Sequence, residues 1–164
     1  MTGPRSSHWP TVELDPVRRL KVIASATKNA NYAERLFDEP VTRLWAVASD
    51  LENELPLIVP GLKSFTLTGA GGERFTGQAL SALGHRENFD VVLRPGWCLM
   101  QSKVLASGMA AVAEGGGTRF AFFSSLRFPG GQSLDRVRAL RAEQRIGGYF
   151  DRLQERVLAR ALPE

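Results

Sequence analysis

Two hydrophobic rhythms divide the chain. Between residues 41 and 48, Val41, Leu44, Trp45 and Ala48 recur at helical spacing and form one apolar face. Pro40 suits the first helical position, where its missing N–H would have had no partner. Ser49 and Glu52 form an S-x-x-E capping pattern, which predicts a second short helix from about residue 50. Pro56 should cut that helix short, and the Val59–Pro60–Gly61 turn follows. From residue 62 to 128 the period falls to two. In "ENFDVVLR", Phe89, Val91 and Leu93 alternate with Asn88, Asp90, Val92 and Arg94. In "TRFAFFSSLRF", Phe120, Phe122, Ser124, Leu126 and Phe128 share one face, and Arg119, Phe123 and Arg127 the other. The helical rhythm returns over 134–162, where Ala139, Ala142, Ile146, Phe150, Leu153, Val157 and Ala161 make a stripe. Arg138, Arg141, Arg152 and Arg156 fall mostly outside that stripe or at its edge.

The predicted order is a strand at "NANYAERLFD", two short helices, about six strands and one long helix. Short links between consecutive strands favour an antiparallel meander. Residues 1–26 read as a leader, partly disordered or a short helix capped by Asp15 with Pro16 in its first turn. Residues 27–162 read as a single domain. The fold class is therefore α+β.

Composition changes this picture little. Of 164 residues, 43% are hydrophobic and 23% charged, which describes a globular protein with a sizeable core. Cys98 is the only cysteine, so no internal disulfide forms and a cytoplasmic setting is expected. No run reaches the length of a membrane-spanning helix. The net charge of +4, from 21 basic and 17 acidic residues, is too small to favour nucleic acid as a partner.

The chemistry of the side chains excludes more than it selects. The two histidines, His8 and His85, and Cys98 cannot assemble a metal-ligand cluster, and no cofactor is expected. No G-x-S-x-G elbow is present. The runs "GAGG" and "GGG" sit between strand-like segments and read as hairpin turns rather than phosphate loops. Glu143 falls within the apolar stripe of the long helix, about 20° from Phe150 on a helical wheel. A carboxylate facing an apolar interior could serve as an acid or base; one reaching solvent at a helix start would only pair with an arginine. Small residues and an adaptable methionine, such as Ala79, Met109 and Ala111, either leave volume beneath the helix or let it sit close. Trp45 reads as core that anchors the short helices to the sheet.

Several stretches, in order, resemble the START-like (SRPBCC) superfamily, the polyketide cyclase/dehydrase and lipid-transport group. "LFDEPVTRLWAVASD" is similar to its first strand, proline-started helix and tryptophan. "VPGLKSFTLTG" is similar to the start of its second strand, "EGGGTRFAFF" to its last hairpin, and "RIGGYFDRLQERVLARAL" to its closing helix. The resemblance implies a helix-grip fold: a curved antiparallel sheet of about seven strands around a long C-terminal helix, with two short helices after the first strand. It implies a cavity between sheet and helix that takes a small hydrophobic or amphipathic ligand, such as a lipid or a polyketide-like or aromatic molecule. Phe75, Ala79, Gln101, Met109, Phe120, Phe122, Ser124 and Phe150 are the candidate lining residues. A cofactor-independent cyclase or dehydratase with Glu143 as acid/base is a second reading. A third is a module that docks an acidic protein or RNA on the basic face of the long helix. A homodimer is compatible with all three.

Overall fold

The computed structural model describes residues 14–69, 71–126 and 135–161, the last segment with side chains from Gln144 onward. Thirteen leader residues, the predicted strand end at Arg127 and Phe128, and the side chains of Ala139, Ala142 and Glu143 lie outside the described residues. The order is α1 (Pro16–Ala26), β1 (Ala30–Phe37), α2 (Val41–Ala48), α3 (Leu55–Ile58), β2 (Leu62–Thr68), β3 (Arg74–Ser81), β4 (Arg86–Arg94), β5 (Trp97–Gln101), β6 (Leu105–Glu114), β7 (Gly117–Leu126) and α4 (Asp135–Ala161). The seven strands form one curved antiparallel sheet in the order β1-β7-β6-β5-β4-β3-β2. Strands β2 to β7 are a meander, and β1 joins it by pairing with the last strand. The β6–β7 hairpin shows why short links suffice. Glu114 pairs with Gly117, leaving Gly115 and Gly116 as a two-residue turn with φ of 57° and 85°. Only turns with positive φ at both positions match the strand twist, and glycine adopts that conformation without a Cβ clash.

Helices α2, α3 and α4 pack on one face of the sheet, here the inner face. Phe120, Phe37, Leu44, Leu51, Ile58, Phe150, Leu153 and Val157 form its core. The outer face is covered by α1. Asp15 caps this helix, its Oδ1 accepting from the Arg18 N–H at 2.9 Å, with Pro16 in the first turn. Val17, Leu20 and Ala24, at i, i+3 and i+7, are buried against Trp97, Ala106, Ala110, Ala121 and Phe123. An isolated helix of 11 residues is marginal in water, so this packing holds α1 in place. Strand β6 is consequently buried on both sides around Ala106–Ala111, where small residues let two layers approach. Gly108 marks the tightest point: a Cβ there would lie 2.6 Å from the Phe123 ring, 2.8 Å from Leu99 Cδ2 and 2.9 Å from Leu20 Cδ1.

The second short helix departs from expectation. Residues 51–54 are turns, and helix begins only at Leu55. Ser49 does not cap it; it ends α2, its N–H donating to Trp45 O at 2.8 Å. Asp50 organises the turn instead, its Oδ1 accepting from the Asn53 side-chain amide at 3.0 Å. Pro56 sits in the first turn of α3 rather than ending it, where the lost N–H has no cost. Pro40 is one position earlier than expected, as the residue flanking α2.

Arginines from α4 fasten these short helices. Arg156 Nε donates to Glu54 Oε2 at 2.7 Å, and Arg160 Nη1 lies 3.4 Å from Asp50 Oδ2. Arg152 Nε donates to the Ile58 carbonyl. The Glu54 side chain is only 5% exposed and takes its counter-charge mainly from Arg156, with Arg160 Nη1 3.6 Å from its other oxygen. Removing one partner of a buried pair leaves an uncompensated charge, whereas removing both does not.

Two stability predictions follow from these contacts. Arg156→Met should cost about 2 kcal/mol, discounted because the arginine is partly solvated, and Glu54→Leu added to it should restore more than half. Urea midpoints of the two variants measure this, and equal midpoints would contradict it. Gly108→Val should cost about 1–3 kcal/mol through overpacking. Hydrogen exchange should show protection lost across residues 16–26 before it is lost in the sheet.

Candidate functional site

The inner face between sheet and α4 divides into a packed half and a less covered half. In the packed half, Tyr149 of α4 enters among aromatic rings. Its ring stacks on Phe122 at 4.5 Å between centroids and 22° between planes, and lies parallel to Phe120 at 6.3 Å. Phe150 meets Phe120 edge-on at 5.9 Å and Phe37 at 6.2 Å. Offset and edge-to-face contacts of this kind stabilise beyond their area burial. The Tyr149 hydroxyl donates to Met109 Sδ at 3.5 Å, and Cys98, beside Met109 in the register, is fully buried. Burial pushes the Tyr149 phenol above its ordinary range, and it pushes the Cys98 thiol up to about 12. At the sheet edge, Arg35 Nη1 reaches Asp151 Oδ1 at 2.7 Å, and its guanidinium sits 5.0 Å over the Phe150 ring.

Away from Tyr149, towards β2–β5, apolar side chains of the same face remain half-buried. Leu67, Phe75, Ala79 and Leu93 pack against the core without being sealed by it. Ser107, buried, and Ser124, half-buried, face each other across β6 and β7 in register and supply hydroxyls within this apolar surface. The face is thus an aromatic floor with few polar marks. Among the described residues, no three His, Cys, Asp or Glu side chains come together as metal ligands.

The structure brings most of the candidate residues together. Met109, Phe120 and Phe150 are buried in the inner core, and Phe75, Ala79, Phe122 and Ser124 lie half-buried on the same face. Gln101 stands apart. The buried Met100 faces inward, so strand alternation sends Gln101 to the outer face, where it is exposed. It borders a concavity of about 430 Å³ at this part of the sheet, lined also by Thr68, Arg74, Phe75, Thr76, Asp90, Val91 and Leu99. Glu143 belongs to α4, but its side chain is outside the described residues. Arg152, Arg156 and Arg160 direct hydrogen bonds into the α2–α3 segment, so this part of the basic helix face serves the fold.

Sequence reasoning missed Tyr149 and Glu54. Tyr149 lies three residues after Ile146 and four before Leu153, both buried, so the helical spacing itself marked it. Glu54 carried no local signal, because its partner is 102 residues away.

Burial of Cys98 gives a pH prediction. Below pH 9.0, its ordinary pKa, the thiol is protonated in both folded and unfolded chains; between 9.0 and about 12 only the unfolded chain releases the proton. Stability should fall as pH rises through that window, and Cys98→Ala should make the slope shallower. In native buffer the thiol should ignore Ellman's reagent and react once urea unfolds the chain.

Comparison with solved structures places this geometry. The protein TTHA0849 of Thermus thermophilus superposes with a TM-score of 0.61 at 20% identity, covering 81% of this chain and 99% of that one. A START superfamily protein from Mycobacterium smegmatis gives 0.58 at 12% identity, over 79% of this chain and 97% of that one. A Thalictrum norcoclaurine synthase variant in complex with a transition-state analogue gives 0.54 at 15% identity, over 81% and 96%. No family model matches the sequence, and neither does any curated protein. The seven-stranded sheet gripped around the C-terminal helix, together with these superpositions, establishes that the chain has a START-like, helix-grip fold.

Proposed function

We propose that this protein binds a small hydrophobic or amphipathic molecule on the inner face of its sheet, beside α4. The observation that carries the reading is the half-buried apolar surface of Leu67, Phe75, Ala79 and Leu93, next to a closely packed aromatic core. Binding sites for such molecules are mostly apolar, with a few polar groups that fix orientation. Ser107 and Ser124 are suited to that role. The norcoclaurine synthase structure supports the reading, since a protein of similar fold is seen there with a transition-state analogue. The arginine-rich helix face supports a docking module less well, because Arg152, Arg156 and Arg160 are engaged within the chain.

Native mass spectrometry of protein purified from extract should show a co-purifying small molecule. A fluorescent apolar probe, anilinonaphthalene sulfonate, should be displaced by extract lipids with one-site behaviour. Phe75→Asp and Ala79→Trp should each weaken probe binding about tenfold, near 1.4 kcal/mol, while Asn88→Ala, at an exposed position of β4, leaves it unchanged. Equal affinities for all three variants would overturn the assignment.

A further inference from the structure

We propose that two adjoining loop tips, the β3–β4 turn and the α3–β2 connection, dock this protein on an anionic lipid surface. Leu83, at the tip of the β3–β4 turn, is 87% exposed, and Leu57, in α3 just before the other connection, is 55% exposed. Pro60 and Ala82 are exposed beside them. The tips form one unit, because the Ala82 N–H donates to the Gly61 carbonyl at 2.9 Å. The turn is also held in shape: Ser81 N–H donates to His85 O at 2.8 Å, and His85 N–H to Ser81 Oγ at 3.0 Å. Leu83 therefore projects from a braced turn.

A single exposed leucine is ordinary on a protein surface. Here the apolar groups coincide with cations. Lys63 and Arg86 are exposed around the tips, and among the described residues neither forms an ion pair. Arg86 only donates to the Gln78 amide oxygen, at 3.3 Å. Glu87 is the sole carboxylate in residues 57–64 and 80–87, and it is half-buried. Leu83 stands almost fully exposed at the end of its turn. A protruding leucine needs a matching pocket on a protein, whereas the fluid headgroup region closes around it, and anionic headgroups complement the lysine and arginine. The lipid surface is thus the occupant that fits both shape and charge. This docking unit does not depend on a ligand at the inner face.

The test is co-sedimentation of the full chain with vesicles of phosphatidylcholine alone and of phosphatidylcholine with phosphatidylserine. Binding is expected to the anionic vesicles only, weakening as salt rises. Leu83→Asp should reduce it about tenfold to a hundredfold, and the Lys63→Glu/Arg86→Glu pair at least tenfold. Leu36→Asp, an exposed leucine outside the two loops, should leave binding unchanged, and unaltered thermal unfolding of each variant confirms the fold. Equal binding of wild type and Leu83→Asp would overturn the proposal. So would absence of binding to either vesicle, the result expected if a protein occupied the tips. Vesicle binding without probe binding at the inner face would uphold docking and refute the ligand reading, so the two failures are separable.

Discussion

Everything in this fold depends on β6 and β7 being buried on both faces. A half-exposed strand can alternate apolar and polar residues, but these two strands must be apolar or small on each side. Strand β6 meets the demand with Ala106, Ser107, Gly108, Met109, Ala110 and Ala111, all buried. Strand β7 meets it with Phe120 inward and Phe123 outward. Because β6 is thin, α1 approaches from one side through Leu20 while Tyr149 of α4 packs from the other. Larger residues at Gly108 or Ala110 would push one helix away.

The inner face then acquires its two textures from where α4 is fastened. The described half of that helix is clamped to α2 and α3 through Arg152, Arg156 and Arg160, and over this stretch aromatic rings close ranks. Farther along the sheet, Leu67, Phe75 and Leu93 have neighbours on fewer sides. A packed region and a less covered one give this single face both a rigid wall and accessible apolar surface. The buried Glu54–Arg156 pair contributes position more than net stability, since well-packed apolar side chains could often do as well.

Much of this was legible in the residues. The period of two over 120–126 assigned Phe120, Phe122 and Ser124 to one face and Phe123 to the other, because pleating leaves a strand no other choice. The Pro40 helix and the closing helix were equally clear, each having a stop or start residue beside an apolar stripe. Gln101 was not legible, because Leu99 and Met100 are both apolar and give alternation no preferred side. The true start of α3 was hidden by a sequence that satisfies a capping pattern at Ser49 while the chain uses Asp50 and Asn53 otherwise. What α1 covers could not be read at all, since its apolar stripe is complemented by Trp97, Ala110 and Phe123 far along the chain.

The pairing of β1 with β7 has a kinetic side. Strands β2 to β7 each find their neighbour across a short turn, but β1 must wait for the last strand before it has anything to pair with. Thr118 Oγ1 then seals the junction by donating to Glu39 O, 79 residues away, and Ser125 Oγ donates to Lys28 O at the other end of the strand. Closing so long a loop is entropically slow compared with zipping the meander. During synthesis the first strand to leave the ribosome is therefore among the last to find its place, and α1 and α2, which flank it, stay unanchored until the sheet behind them is nearly complete.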